Sequence, residues 1–371
     1  MIRNTKNPHG GDIYSNRVQY DFSVNVSPLG TPPEILSAIG RAAVHVAEYP
    51  DAHCERLLNC LADYEQISKE WMICGNGASD LIYTYAGVAG GEKALIVAPT
   101  FCEYANGLAA AGVETEYFQL SESNGFVLDK ALLEVLTARL EEKPAIASVW
   151  ICNPNNPTGK VYSYEVMSML AEACRRLQIR LFVDECFMDF TEIPERNSLK
   201  SVIASNPYVF LLKAFTKNYG MAGVRLGYGI SSDEELLERM CASTPAWNVS
   251  GLAQAAGIAA CACSEFLQQT QATIRTERSY LLKEFKCLGL QVVETDANFI
   301  LFQADSSVYA KLLEQGILIR DCSNFKGLEQ SATGCYYRCA VRTHEENVRL
   351  IAALHAIYKV QEVTAAWQNH L

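Results

Sequence analysis

Short apolar runs closed by polar or Gly/Pro-containing loops alternate with longer amphipathic stretches between about residues 45 and 250. The runs over 93–98, 113–120, 145–152, 179–184, 209–214 and 225–231 are strand candidates, and those over 145–152 and 179–184, which end in polar loops, read as buried parallel strands. Stretches such as 128–141 and 163–177 carry apolar residues at helical spacing. Strands alternating with helices predict an α/β fold with a mostly parallel central sheet in a large domain over 45–250. From Ser250 to about Lys286 only polar and small residues interrupt a helical pattern, which predicts one long helix. A smaller α/β domain is expected from 251–360 together with residues 1–44 as an amino-terminal arm. The tail, 361–371, has no readable pattern, and there is no internal repeat.

In an open α/β sheet the ligand crevice lies at the carboxyl ends of the strands, so the loops that follow the apolar runs are where chemistry is sought. AsnProAsnAsnProThrGly (153–159) follows one run, ValAspGlu (183–185) closes the next, and LysAlaPheThrLysAsnTyrGlyMetAlaGlyValArg (213–225) follows a third. Lys217 after Thr216, with Arg225 eight residues on, has the layout of a pyridoxal-phosphate anchor. A lysine amine condenses with the aldehyde as a Schiff base while a hydroxyl and a guanidinium hold the phosphate. Asp184 is placed to pair with a protonated pyridine nitrogen, which keeps the ring a good electron sink. Asn156 is the candidate donor to the ring's phenolic oxygen. Singly, each has an ordinary alternative: a surface lysine, a strand-end cap, a turn before Pro157. Together they point to a cofactor enzyme.

Composition narrows the setting. The 371 residues, 49% of them hydrophobic, can bury a large core. No run of about 18 apolar residues suggests a membrane helix, and the amino terminus lacks a hydrophobic signal region, so a cytoplasmic protein is expected. Fourteen cysteines lie in apolar runs or in an isolated CysAlaCys without paired spacing, which favours reduced thiols. A net charge of −11 argues against nucleic-acid or anionic-membrane partners. The six histidines show no metal-ligand spacing, so no metal is expected. A dinucleotide enzyme is disfavoured because no GxGxxG follows the first strand.

These motifs, in this order, resemble the aspartate aminotransferase superfamily, the fold type I pyridoxal-phosphate enzymes, over nearly the whole chain. The resemblance implies a large cofactor-binding domain, a connecting helix and a smaller domain. It implies that Gly77, Ala78 and Ser79 of AsnGlyAlaSerAsp (76–80) bind the cofactor phosphate at a helix N-terminus, and that Phe101 stacks on the pyridine face. Tyr49 of TyrProAsp (49–51) matches the tyrosine that reaches the neighbouring subunit's cofactor, implying a homodimer with shared active sites. Arg338 matches the arginine that takes the substrate carboxylate.

Within that superfamily, AsnProHisGlyGly (7–11), AspPheSerValAsnValSerProLeuGly (21–30) and GlyIleLeuIleArgAspCysSerAsnPheLysGlyLeu (316–328) are similar to the threonine-phosphate decarboxylases of cobalamin biosynthesis, with the histidinol-phosphate aminotransferases as near relatives. The implied substrate pocket is His9, Asn25, Arg320 and Arg338, suited to a small amino acid bearing a carboxylate and a phosphate. Arg342 is expected in a rim or structural ion pair. Three positions depart from common relatives: Ala214 removes a hydroxyl near the phosphate, Phe187 replaces a tyrosine that touches the ring oxygen, and Lys213 stands where the decarboxylases tend to have arginine. Phe187 favours the decarboxylase. The expected function is decarboxylation of threonine phosphate or serine phosphate, with freed Lys217 reprotonating Cα. The alternative is an aminotransferase acting on histidinol phosphate, or an aromatic or phosphorylated amino acid, with 2-oxoglutarate. A non-catalytic ligand-binding regulator is the remote alternative, disfavoured by the presence of Lys217.

Overall fold

The computed structural model describes residues 9–138, 145–329 and 334–368, with the backbone alone over 359–368. Seven strands form the main sheet: β1 Met72–Gly75, β2 Lys93–Ala98, β3 Glu114–Gln119, β4 Ile146–Cys152, β5 Arg180–Asp184, β6 Val209–Lys213 and β7 Gly227–Ile230. Their spatial order is β1-β7-β6-β5-β4-β2-β3. All pairs are parallel except those of β7, which runs antiparallel to β6 and β1. The fold is α/β with a mostly parallel central sheet. Strand β1 has no counterpart among the expected runs, because MetIleCysGly is four residues long and becomes a strand only by pairing with β7.

The central strands are buried on both faces, as a parallel sheet covered by helices requires. Alternate residues serve opposite faces. Val149, Ile151, Leu181, Val183 and Leu211 pack into one apolar cluster. Trp150, Phe182 and Phe210 sit in register on adjacent strands and stack in the other, with ring centroids 4.2 and 5.6 Å apart. Burying each such ring stabilises the fold by about 1.5–3 kcal/mol.

The same alternation places Lys213 away from the cavity described below. Its Nζ lies 2.9 Å from Oε1 of Glu65, which is 2% exposed and also accepts from Tyr228 Oη and Lys200 Nζ. The departure at Lys213 therefore belongs to a buried ion network beneath the sheet and not to the cavity lining. Burial opposes ionisation of Glu65, but the two lysines outweigh it and hold the carboxyl down at about 2.

A second, antiparallel sheet comprises β8 Gln291–Val292, β9 Phe299–Ala304, β10 Arg320–Asp321 and β11 Cys335–Ala340, ordered β10-β11-β9-β8. The amino-terminal arm is tied to it. Tyr20–Asp21 pairs in parallel with Ile317–Leu318, Phe22 N donates to Leu318 O, and Ala340 N donates to Phe22 O, both at 2.8 Å.

The predicted long helix over 250–286 is instead two helices, Gly251–Ala260 and Ser264–Cys287, separated by a turn at 261–263. The apolar spacing is helical on both sides and the turn has neither Gly nor Pro, so nothing in the local sequence marks the break. The last helix, His344–Gln368, continues past Val360 into the segment read as a patternless tail. The amphipathic stretch 128–141 gives a helix over Ala131–Ala138, and its end lies outside the described residues.

Candidate active site

The carboxyl ends of β4, β5 and β6 open into a cavity of about 330 Å³. Cys152, Asp184 and Ala214 line it from the strand ends, and the loop after β4 contributes Asn156. Asp184 is 6% exposed; its Oδ1 accepts from Cys186 N at 2.9 Å and its Oδ2 from Tyr104 Oη at 2.7 Å. Burial raises its pKa above the usual carboxylate range, and these two hydrogen bonds offset part of the rise. Lys217, in the short helix Phe215–Asn218, faces the same cavity. Burial, reinforced by the charges of Arg338 and Arg225, pushes its ammonium down to about 8. An appreciable fraction of the amine is then neutral near pH 7, the form that attacks a carbonyl.

At one end the lining is built for a phosphate. The helix Ala78–Ala89 starts after Gly77 with no side chain capping it, and Ala78 and Ser79 line the cavity beside Thr216 and Arg225. Gly77 has φ +83°, and a Cβ on it would lie 2.5 Å from Arg225 Nη2, so the guanidinium can approach only because the side chain is missing. Uncapped helix amides, two hydroxyls and a guanidinium suit a dianionic phosphate. With Phe101 lining the same space and Asp184 buried within it, the residues present fit pyridoxal phosphate.

At the other end two arginines meet. Arg320 and Arg338 are paired directly across β10 and β11, and each is less than a tenth exposed. Arg338 donates to Asn156 Oδ1 and, at 2.8 Å, to Ser23 O; with its amide oxygen turned toward the guanidinium, Asn25 accepts at 3.2 and 3.3 Å. Burial, together with the neighbouring charge of Arg320, holds Arg338 down at about 10. Arg320 donates to Asn324 Oδ1 at 2.7 Å and lies 5.1 Å from the Phe325 ring. Arg342 is paired with Glu346 at 2.9 Å and does not line the cavity.

His9 completes this wall. Gly10 makes its placement possible, because a Cβ there would come 2.4 Å from Ser23 O. The His9 ring is 5.7 Å from Phe101, and its Nε2 lies 3.0 Å from Glu103 Oε1. Hydrogen bonds to Cys102 and to Glu103 raise His9 to about 9.

Twelve of the fourteen residues singled out from sequence line this one cavity. Gly77 lies against Arg225 behind it. Tyr49 is elsewhere: it is 78% exposed and stacks on Trp247 at 4.3 Å, in a separate groove. Among the residues at the site that were not singled out, Tyr104 and Glu103 make the contacts that matter most to its charges. Both stand in the quoted ProThrPheCysGluTyr, but Tyr104's partner is 80 positions away and Glu103's is 94, so no local spacing points to them.

Residues 17–354 match the family model for aminotransferase class I and II. The chain belongs to this family. It is 35% identical over 361 residues to the threonine-phosphate decarboxylase of Salmonella typhimurium, covering 94% of this chain and 96% of that protein. It is 32% identical to the histidinol-phosphate aminotransferase of Symbiobacterium thermophilum, covering 90% and 88%. The crystal structure of the histidinol-phosphate aminotransferase from Clostridium acetobutylicum matches with a TM-score of 0.83 at 28% identity, over 92% of this chain and 99% of that one. The fold is fold type I.

Proposed function

We propose that this chain is a pyridoxal-phosphate-dependent decarboxylase of a small phosphorylated amino acid, threonine phosphate or serine phosphate, acting as a cytoplasmic homodimer with shared sites. Enzyme class and cofactor follow from family membership. The observation that carries the substrate reading is the Arg320/Arg338 pair. Like charges directly opposite across a ladder are destabilising, and two anionic groups on one ligand relieve that. The relative at 35% identity, a threonine-phosphate decarboxylase, supports the decarboxylase reading, the resemblance noted in the sequence suggests a role in cobalamin biosynthesis, and Phe187, which packs edge-on against Phe299 at 5.1 Å, leaves no hydroxyl at its place in the cavity. Fourteen free cysteines support a reducing compartment. Among the described residues no helix is long and apolar enough to cross a membrane.

When bound, pyridoxal phosphate supplies the sink for the electron pair left at the substrate Cα. Asp184 would hold the proton on the cofactor's ring nitrogen, and Tyr104 and the Cys186 amide fix its carboxylate. Asn156 would donate from its amide nitrogen to the cofactor while its oxygen accepts from Arg338. Arg338, Arg320 and His9 would orient the two anions of the substrate and so bias which Cα bond breaks. Lys217 returns a proton to Cα.

The second reading is an aminotransferase acting on histidinol phosphate or an aromatic or phosphorylated amino acid, with 2-oxoglutarate as acceptor, favoured by the relative at 32% identity. A kinetic comparison of Arg320→Gln tests the substrate class. KM for threonine phosphate should rise by roughly 10- to 100-fold with little change for threonine, because a charge-assisted bond to phosphate is lost. Equal losses on both substrates would contradict a phosphate role.

A further inference from the structure

We propose that Glu103 is a positioning residue that holds His9 in the cavity wall as a cation beside the substrate phosphate. The inference rests on the phosphorylated-substrate reading and adds to it the group that sets the charge of the third member of the anion wall.

The geometry is specific. Glu103 opens the helix Glu103–Ala110, and its side chain is 14% exposed. Each oxygen is occupied: Oε2 accepts from Tyr83 Oη at 2.9 Å, and Oε1 from Asn106 Nδ2 at 2.8 Å as well as from His9 Nε2. Tyr83 and Asn106 come from two packed helices, so the carboxylate is held before His9 arrives. Its third contact is a half-buried imidazole, 35% exposed, on the arm that carries Ser23 and Asn25 to Arg338. Titratable groups facing His9 among the described residues include Cys102 and Glu103, with Cys102 Sγ 3.9 Å from Nδ1.

Three consequences follow from ordinary acid–base chemistry. An imidazole with no anion beside it is mostly neutral above about pH 6.5, whereas a phosphate monoester becomes dianionic above about pH 6. Without Cys102 and Glu103 beside it the two charged forms would barely coexist. With them, the directions agree: His9 is raised to about 9, first by its hydrogen bond to Cys102 and then by that to Glu103, and Glu103, through its bond to His9 and then those to Asn106 and Tyr83, is held down at about 2. The cationic imidazole and the dianionic phosphate then overlap between about pH 6 and 9. A doubly charged anion next to two arginines gains from a third cation whose proton is secured by the protein.

The three side chains His9, Cys102 and Glu103 also have donor types found in soft-cation sites, with donor atoms within 4.8 Å of one another. Their orientation speaks for an ion pair. The imidazole presents Nδ1 to the sulfur and Nε2 to the carboxylate, so one metal ion would have to turn the ring out of its contact with Glu103.

The test uses the holoenzyme and Glu103→Gln, which keeps the shape and the capacity to accept from Asn106 while Tyr83 Oη becomes an acceptor. Two readouts are needed. Carbon-13 NMR of the six ring-labelled histidines follows His9 directly and without substrate. We expect a midpoint near 9 in the unaltered protein, falling part of the way toward the 6.5 of an ordinary histidine in Glu103→Gln, because the Cys102 contact remains. In turnover of threonine phosphate, KM at pH 8 should rise by about tenfold with kcat little changed, and the alkaline limb of kcat/KM should move to lower pH with the NMR midpoint. Glu103→Asp should restore part of the limb, which a merely structural role would not do. An unmoved His9 midpoint, or a limb that stays in place while activity falls, would overturn the proposal. So would a stoichiometric metal ion retained by the purified holoenzyme at this cluster. If threonine phosphate is not turned over at all, the substrate reading fails, while the NMR midpoint still decides whether Glu103 sets the charge of His9.

Discussion

Tyr104 donates its phenolic proton to Asp184 Oδ2 at 2.7 Å, with both side chains buried and the Cys186 amide on the other oxygen. Each donor stabilises the carboxylate against the desolvation that burial imposes. Removing the tyrosine hydroxyl should therefore raise Asp184 further and weaken its grip on a protonated ring nitrogen. For Tyr104→Phe we predict an intact fold, since the ring is shape-conserving, and a loss in kcat of about tenfold, the worth of one hydrogen bond to a charged group. Circular dichroism and steady-state kinetics check both, and an unchanged kcat would mean that the Cys186 amide suffices.

Glycine at position 77 should be needed for cofactor affinity more than for folding. Gly77→Ala places a methyl 2.5 Å from Arg225 Nη2 at a backbone angle of φ +83°. The guanidinium must move, and pyridoxal phosphate should dissociate at least roughly tenfold more readily, because one charge-assisted phosphate bond is displaced. Equilibrium dialysis of the cofactor measures it.

Beneath the sheet, the Glu65–Lys213 pair should govern acid stability. The folded carboxyl is held at about 2, below its ordinary value near 4.5, so its contribution is complete above pH 4.5 and is lost as pH falls toward 2. That contribution is roughly 3 kcal/mol, from a shift of this size for a group almost wholly buried. Lys213→Met leaves Glu65 with Lys200 at 3.2 Å and should cost about 3 kcal/mol, the lower end for a broken buried pair. Urea denaturation at pH 7 and pH 3.5 should show the variant's deficit shrinking at the lower pH.

Much of this was legible in the sequence, for reasons that can be named. β2, β4, β5 and β6 stand out because strands buried on both faces are apolar at most positions instead of alternating, and Lys217, Asp184 and Asn156 stand out because they lie at or just after the ends of those runs. What was hidden depends on partners distant in the chain. Tyr104 and Glu103 gain meaning only from Asp184 and His9, β1 only from β7, and Lys213 only from Glu65, 148 positions earlier. The turn at 261–263 was hidden differently: it breaks a helix without any residue that disfavours one.

Shared sites make a prediction of their own, because Tyr49 lies outside its own chain's cavity, exposed and stacked on Trp247. If Tyr49 serves the partner's site, Tyr49→Ala and Lys217→Ala should each be severely impaired alone. Mixed and reassembled in equal amounts, they should recover about a quarter of wild-type activity, since random pairing makes half the molecules mixed and each of those carries one intact site. No recovery, with mixed dimers demonstrated by mass spectrometry, would mean that Tyr49 does not complete the partner's site.

The most direct measurement is carbon dioxide release from threonine phosphate by the pyridoxal-phosphate-loaded protein, with and without 2-oxoglutarate. Stoichiometric carbon dioxide without the oxoacid, abolished in Lys217→Ala, is the predicted result. Glutamate formation that requires the oxoacid, with no carbon dioxide released, would contradict it and make the chain an aminotransferase.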